Sequence, residues 1–277
     1  MRHLLNTLFV LTEDAYLSLD GENVVISQEK RETGRFPLHT LENIVSFSYA
    51  GASPHLMGAC GERDVNLCFF TPTGRFLARV SGESRGSVLL RRTQYRLADS
   101  QQESAKIARN MIVGKVYNCR WSIERTRRDH GIRVNVETLS AASELLANQL
   151  PLIREAEELE VLRGIEGKCA VSYFEALDEM ILSNKSEFYF RGRNRRPPLD
   201  NVNALLSFAY SLLSHDCAGA LSSVGLDPYV GFLHRDRPGR VSLALDLMEE
   251  LRGVMADRFV LTLINNRVLG GGDFLKR

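Results

Sequence analysis

The stretch LRGIEGKCAVSYFEALDEM (162–180) has the apolar spacing of an amphipathic helix, with one exception. Its apolar residues recur three or four positions apart and fall on one face: Leu162, Ile165, Cys169, Tyr173, Ala176, Leu177 and Met180. Glu166 lies on that same face, one turn after Leu162. A carboxylate that faces a core is costly unless a bound metal ion or a buried Arg or Lys compensates it. Glu166 is therefore a candidate metal-binding or catalytic residue; the alternatives are a carboxylate at the helix edge and one paired with an arginine.

The first 84 residues have the patterns of β-strands. Short alternating runs flank Asp20-Gly21, and a second pair of runs flanks Thr71–Gly74; both arrangements are typical of β-hairpins. The segment ENIVSFS (42–48) is rich in strand-forming residues, and a short helix is indicated near Ser53–Gly61. The N-terminal segment is apolar but alternating and lacks a small-residue cleavage site, which predicts a strand rather than a signal peptide.

The apolar periods become helical after the stretch SGESRGS (81–87). The predicted helices cover residues 88–97, 102–128, 137–149, 155–183, 201–216, 241–256 and 257–266. The segment RGRNRRPPLD (191–200) is predicted to be a loop, because Pro197-Pro198 cannot continue a helix. Asp200 or Asn201 is expected to cap the helix that follows.

The fold class predicted from these patterns is α+β with two domains, an N-terminal β-sheet domain (1–84) and a larger all-α domain (85–277). The composition, 44% hydrophobic and 25% charged, is that of a globular protein. No apolar run approaches the ~20 residues of a transmembrane helix. Five scattered cysteines without a C-x-x-C pair are typical of reduced thiols in the cytoplasm. The net charge of +1 excludes a polycation, yet basic residues cluster in RGRNRRPP (191–198), which suits phosphate contacts at defined places.

A second group of candidate residues lies in GLDPYVGFLHRDRPGRVSLALDLMEELR (225–252). His234 ends a short apolar run, and Asp246 and Glu249 form a D-x-x-E pair on the next helix. The apolar stripe of that helix comprises Ala244, Leu247, Met248, Leu251, Val254 and Met255. The acidic residues lie off this stripe, which by itself favours a solvated polar face, and a lone histidine at a loop edge is more often a surface or capping residue.

The combination with Glu166 changes this interpretation. Two or three carboxylates and one imidazole form a hard ligand set that suits Mg²⁺ or Mn²⁺ better than a structural zinc ion. Such a site can polarise a phosphodiester and activate a hydroxyl nucleophile, and a nearby arginine-rich loop would hold the phosphate backbone. The residues thus indicate metal-dependent chemistry on a nucleic acid.

Three stretches in this order resemble the CRISPR-associated Cas-one family, the integrase that inserts new spacers into the repeat array. They are RGIEGKCAVSYF (163–174), RGRNRRPPLDNVNALLSFAYSLL (191–213) and GLDPYVGFLHRDRPGRVSLALDLMEELR (225–252). The resemblance spans nearly the whole chain, and the residues resemble the type I-C branch. It implies a metal-dependent DNA endonuclease that joins the 3′-hydroxyl of a prespacer strand to a repeat phosphodiester. It also implies homodimers assembled around a Cas-two dimer.

The resemblance assigns roles to individual residues. Those expected to bind the metal and carry catalysis are Glu166, His234 and Glu249. Asp246 corresponds to a further acidic position, as an additional ligand or a support for one. The residues expected to contact DNA are Arg193, Arg196 and Asn203, which match the family, and Arg240 from the loop after His234. Each arginine has a solvated loop position as its alternative. Tyr210 lies on a helix that is apolar on nearly every side and is expected to belong to the core.

Two other functions stay open at this point: a hydrolytic metal-dependent nuclease acting on branched DNA in repair, and a non-catalytic DNA-binding scaffold. The RGRNRRPP loop is expected to set DNA affinity rather than sequence choice, because phosphate contacts carry no base information. Dimerisation is expected partly through the β-domain, because two-stranded units need packing partners. The chain ends at GGGDFLKR (270–277), whereas family members usually carry further helical sequence.

Overall fold

The computed structural model describes residues 6–83, 88–195 and 197–274. The chain divides into two compact units. One comprises Met1–Val88 and Gly219–Leu226, and the other comprises Leu89–Ala218 and Asp227–Arg277. Strands precede helices along the chain, so the predicted α+β class is confirmed. Among the described residues, no helix is long and apolar enough to cross a bilayer.

The first unit contains two β-sheets. The strands are, in chain order, β1 (Thr7–Val10), β2 (Tyr16–Asp20), β3 (Asn23–Gln28), β4 (Arg31–Pro37), β5 (Asn43–Ser46), β6 (Asn66–Phe70) and β7 (Phe76–Arg79). One sheet has the order β1-β5-β6-β7, with β1 and β6 parallel to β5 and β7 antiparallel to β6. The other is an antiparallel sheet of β2, β3 and β4.

Both predicted hairpins are present. Asp20 pairs with Asn23 across a two-residue turn, in which Gly21 takes a positive φ of 57°. Strands β6 and β7 form the second hairpin. The short predicted helix is also present as α1 (Pro54–Glu62), where the Ser53 hydroxyl accepts a hydrogen bond from a backbone N–H of the first turn. Strand β4 was not predicted, because its residues are mostly exposed and show no apolar alternation.

The second unit is built from helices. The helices after α1 are, in chain order, α2 (Val88–Asp99), α3 (Gln101–His130), α4 (Val136–Glu155), α5 (Leu159–Leu177), α6 (Asn201–Ser223), α7 (Ser242–Leu251) and α8 (Arg258–Asn265). All seven predicted helices are confirmed in place, although several boundaries differ. Ser100 and Asn135 cap α3 and α4, and Asp200 caps α6 by accepting from the Asn203 N–H at 2.7 Å. Helix α3 packs against α4, α5 and α7.

Helices α7 and α8 are joined by a π-helical segment, Arg252–Asp257. A π-turn adds a residue to each turn, so the apolar stripe extrapolated from the start of α7 is wrong beyond Leu251. Met255, predicted to face the core, is 38% exposed, whereas the charged side chains of Arg252 and Asp257 are buried. The π-helical segment therefore carries charged groups into the interior of the unit.

Candidate active site

An open cleft of about 600 Å³ in the helical unit brings together the three residues predicted to bind a metal. Its lining residues are Glu160, Arg163, Glu166, Leu233, His234, Arg235, Asp236, Arg237, Arg240 and Glu249. Glu166 comes from α5, Glu249 from α7, and His234 from the loop that precedes α7. The cleft therefore combines two carboxylates and an imidazole with several arginines.

Lys115 of α3 compensates the charge of both glutamates. Its side chain is only 4% exposed. The Nζ atom donates a hydrogen bond to Glu166 Oε1 and lies 2.5 Å from Glu249 Oε2. Of the two kinds of compensation considered for Glu166, a metal ion or a buried cationic side chain, this structure contains the second. Across the described part of the chain, no group of three or more His, Cys, Asp or Glu side chains is clustered closely enough to hold a metal ion.

Glu249 is held in its charged form between two cations. Burial alone would raise the pKa of its carboxyl, but Lys115 and Arg252 outweigh burial and lower the pKa to about 2. Arg252 Nη2 lies 3.0 Å from Glu249 Oε2. Neither ion-pair contact has the angular geometry of a hydrogen bond, so this buried oxygen has no aligned donor within the described residues. Glu249 is thus an ionised carboxylate whose Oε2 is approached by two cations.

The lowered pKa of Glu249 predicts a pH dependence of stability. A carboxyl whose pKa falls from 4.5 to about 2 on folding stabilises the folded state above pH 4.5. This contribution is lost as the pH falls toward 2, by roughly 2 kcal/mol between pH 5 and pH 3. Urea unfolding of metal-free protein at both pH values measures it. Glu249→Gln should lose less stability than the wild type over this interval; an equal loss would contradict the assignment.

Asp246 closes the loop that carries His234. Its side chain is fully buried. Oδ2 accepts hydrogen bonds from the N–H groups of Phe232 at 2.6 Å and Leu233 at 2.9 Å, and Oδ1 accepts from the His234 N–H at 3.0 Å. Oδ1 also lies 2.5 Å from His234 Nδ1. A hydrogen on Nδ1 leaves Nε2 as the nitrogen with a free lone pair. A Cβ at Gly231 would lie 2.8 Å from Asp246 Oδ2, so only glycine permits this approach.

Helix α5 anchors the same loop from the other side. Arg163, one turn before Glu166, donates from Nε to the carbonyl oxygen of Leu233 at 3.0 Å. Glu160 accepts from both Arg163 and Arg235 at 2.5 Å. The loop is therefore fixed through its N–H groups by Asp246 and through a carbonyl by Arg163, and α5 supplies both a candidate ligand and a loop anchor.

The acidic residues of α7 were expected to lie on a solvated face, and this prediction is wrong for two of them. Asp246 and Glu249 are buried, while Leu247 on the predicted apolar stripe is partly exposed. The burial is possible because backbone N–H groups satisfy one carboxylate and cationic side chains satisfy the other.

The residues predicted to contact DNA lie in different surroundings in the structure. Arg193 does not reach outward: it donates to Asn203 Oδ1 at 2.7 Å and to Ser207 Oγ at 3.1 Å. Asn203 is fully buried and also donates to the Gly192 carbonyl, so it organises the loop and is not available to DNA. Arg196 lies outside the described residues. Arg240 lines the cleft, where a phosphate could reach it.

A buried network behind the cleft was not predicted. The guanidinium carbons of Arg193 and Arg252 lie 5.3 Å and 5.1 Å from the centre of the Tyr210 ring. Tyr210 is buried, as predicted, and donates to Asp257, whose pKa is raised by burial. Lys115 was not predicted as a site residue. Its signal in the sequence is the same as that of Glu166, since a charged residue interrupts the buried apolar face of a helix, here α3.

The chain is similar to known proteins over nearly its whole length. The family model described as "CRISPR associated protein Cas1" matches residues 8–277. A CRISPR-associated endonuclease Cas1 of Chlorobaculum tepidum is 48% identical over 274 residues, which are 99% of this chain and 80% of the relative. Another from Rhodospirillum rubrum is 48% identical over 278 residues, with the same coverage of each chain.

Solved structures show the same fold. A CAS1 protein from Thermotoga maritima matches with a TM-score of 0.80 at 22% identity, covering 99% of this chain and 83% of that one. A casposase bound to its integration product matches with a TM-score of 0.77 at 21% identity, covering 99% and 76%. The type I-C branch stays a prediction. Because the family model and the relatives match over nearly the full length, the chain belongs to the Cas1 family.

Proposed function

We propose that this protein is a CRISPR-adaptation integrase and metal-dependent DNA endonuclease that joins prespacer 3′-hydroxyls to repeat DNA. The observation that carries the proposal is the meeting of Glu166, His234 and Glu249 in one arginine-lined cleft. Relatives at 48% identity carry the name CRISPR-associated endonuclease. The casposase of the same fold is bound to an integration product, which supports strand joining as the reaction.

The kinds of donor atom in the cleft suit a divalent metal, although the three described side chains are not clustered closely enough in this structure to hold one together. Two carboxylates and an imidazole are the donors that Mg²⁺ and Mn²⁺ accept, and Glu249 Oε2 is a buried acceptor without an aligned donor among the described residues. Glu166, His234 and Glu249 would hold the ion. When bound, a Mg²⁺ or Mn²⁺ ion polarises the scissile phosphodiester and lowers the pKa of the attacking hydroxyl.

The surrounding residues prepare this site. Asp246 and Arg163 fix the His234 loop, so that Nε2 is the free nitrogen. Lys115 and Arg252 keep Glu249 ionised despite its burial. In joining, the 3′-oxygen of the prespacer forms a bond to the phosphorus and loses its proton, while the P–O bond of the repeat breaks and the leaving 3′-oxygen gains a proton. Hydrolysis is the same displacement with water as the nucleophile.

A plasmid assay tests the proposed reaction. Supercoiled plasmid carrying a repeat array is incubated with labelled prespacer, Cas2 and Mn²⁺. Label joined to the plasmid at the repeat is the expected product. Nicked plasmid without joined label would instead indicate a hydrolytic nuclease. Binding to DNA without joining or cutting, at an affinity unchanged by Glu166→Ala, would indicate a scaffold, and either outcome would overturn integration.

The proposal includes partners. Prespacer and repeat DNA, a second copy of this chain and a Cas2 dimer are the expected assembly. Proteins of the same fold are present in a partial Cas6-RT-Cas1–Cas2 complex, at a TM-score of 0.66, and in a TtCas1–DNA complex, at 0.52. We assign dimerisation in part to a domain formed by residues 1–84 and DNA and metal binding to residues 85–277. Light scattering at micromolar concentration would test the dimer. The buried thiols of Cys60, Cys119, Cys169 and Cys217 support a cytoplasmic location.

The arginines of the cleft are expected to set DNA affinity by neutralising phosphates. Arg237 and Arg240 take this role in place of Arg193, which is engaged inside the protein. Replacing both with alanine should weaken binding similarly for all sequences and flatten the slope of log affinity against log salt, by about one unit for each phosphate that is no longer neutralised. Arg128→Ala is the control, since this exposed arginine pairs with Asp129 and does not line the cleft. An unchanged salt slope with altered repeat choice would indicate base contacts instead.

A further inference from the structure

Lys115 has an unusual position for a lysine. It lies on the buried face of α3 and follows Ile112 at helical spacing, next to Val116. An ammonium group in such surroundings is destabilising unless opposite charges are within reach. Two are: Glu166 on α5 and Glu249 on α7 both contact Nζ. One buried cation therefore links the two carboxylates that we assign to metal binding.

The charges at this point are balanced within the protein. The two carboxylates face two cations, Lys115 and Arg252, and Arg252 approaches only Glu249 among them. The ammonium is thus the cation that Glu166 and Glu249 share. A divalent ion bound by the same carboxylates would bring two further positive charges next to Nζ. Like charges at such separations repel strongly where water is excluded.

We propose, on the basis of the function proposed above, that the Lys115 ammonium is an internal counter-ion that holds Glu166 and Glu249 together and that a divalent metal must displace from at least one of them. Lys115 then has opposite effects on two properties. It stabilises the metal-free protein, and it weakens the binding of the metal. The residue thereby sets the metal concentration at which the site fills.

Lys115→Met tests both effects, because methionine has similar length and no charge. We expect the metal-free variant to unfold about 6 °C or more below the wild type, since the buried carboxylate of Glu249 and the partly buried carboxylate of Glu166 lose their shared partner. We expect its dissociation constant for Mn²⁺, measured by calorimetry without DNA, to be at least about tenfold lower. Saturating Mn²⁺ should restore more than half of the decrease in melting temperature, because the ion replaces the missing charge.

Two variants serve as controls. Lys106→Met removes an exposed lysine of the same helix that pairs with Glu103, and it should change neither the melting temperature nor the Mn²⁺ affinity. Lys115→Arg keeps the charge and should bind Mn²⁺ no more tightly than the wild type. Equal or weaker Mn²⁺ binding by Lys115→Met would overturn the proposal, and so would a tenfold gain in Lys115→Arg.

If Lys115→Met does not fold in the absence of metal, a second variant tests whether the loss of the shared counter-ion is the cause. Adding Glu166→Gln neutralises one of the two carboxylates that lose Lys115, and Arg252 still pairs with the other, Glu249, so the double variant should be recovered folded. Failure of this rescue would overturn the proposal. The proposed function fails separately: it requires that wild-type protein bind Mn²⁺ in the same calorimetric experiment. Wild-type binding without a gain in Lys115→Met contradicts the role of the lysine alone.

Discussion

Glu166→Ala, His234→Ala and Glu249→Gln are each expected to reduce strand joining by roughly a thousandfold or more, since a metal-bound site contributes several kcal/mol to such a reaction. The three side chains line one cleft from three different segments; Glu160, a further carboxylate of the cleft, is paired with Arg163 and Arg235. Joining of labelled prespacer to repeat plasmid, with Mn²⁺ and Cas2, measures the loss.

The choice of substitution at Glu249 follows from its surroundings. Alanine would leave Lys115 and Arg252 buried beside an empty space, and breaking a buried ion pair in this way costs about 3–5 kcal/mol. Glutamine keeps the shape. Glu175→Ala, on α5 but away from the cleft, is the matched control and should join at the wild-type rate. Near-wild-type joining by Glu166→Ala in Mn²⁺ would refute its assignment as a ligand.

Asp246→Ala is expected to lower the free energy of unfolding by about 3 kcal/mol or more. The substitution leaves the N–H groups of Phe232, Leu233 and His234 without their acceptor, and each unsatisfied buried group costs about 1–3 kcal/mol. Joining should fall by about 10–100-fold, less than for a ligand, because the imidazole remains but is no longer oriented. Urea unfolding and the joining assay measure the two effects.

Glu250→Ala is the control for Asp246, since Glu250 lies on the same helix and is partly exposed. Its unfolding free energy should stay within about 1 kcal/mol of the wild type. If Asp246→Ala were equally stable while joining fell as far as in Glu166→Ala, Asp246 would act as a ligand rather than as the support of the His234 loop.

The sequence predicted the elements whose signals are local. Apolar spacing located all seven helices after the β-region, and turn residues located both hairpins. Strand β4 was not predicted, because an exposed strand needs no apolar alternation in its sequence. The π-helical segment was not predicted, because a pattern with a fixed helical period cannot represent an added residue. The burial of Arg252 and Asp257, which lie on this segment, was missed for the same reason.

The candidate site was predictable in its members but not in its connections. Glu166 was recognisable because it replaces an apolar residue on a helical stripe, and Lys115 carries the same signal on α3. Pairing them requires the packing of α3 against α5, which the sequence alone does not contain. Arg193 shows the complementary limit, because an arginine in a Pro-rich loop has no local pattern that distinguishes a partner inside the protein, such as Asn203, from a phosphate outside it.

The most direct test of the account is the position of a bound metal. Crystals soaked in Mn²⁺ are measured for anomalous scattering, which locates the ion independently of any assay. We expect one strong peak in the cleft, coordinated by carboxylate oxygens of Glu166 and Glu249 and by Nε2 of His234. A peak held elsewhere on the cleft rim, for instance by Glu160 and Asp236, with Lys115 still joining the two glutamates, would contradict the assignment of the catalytic site.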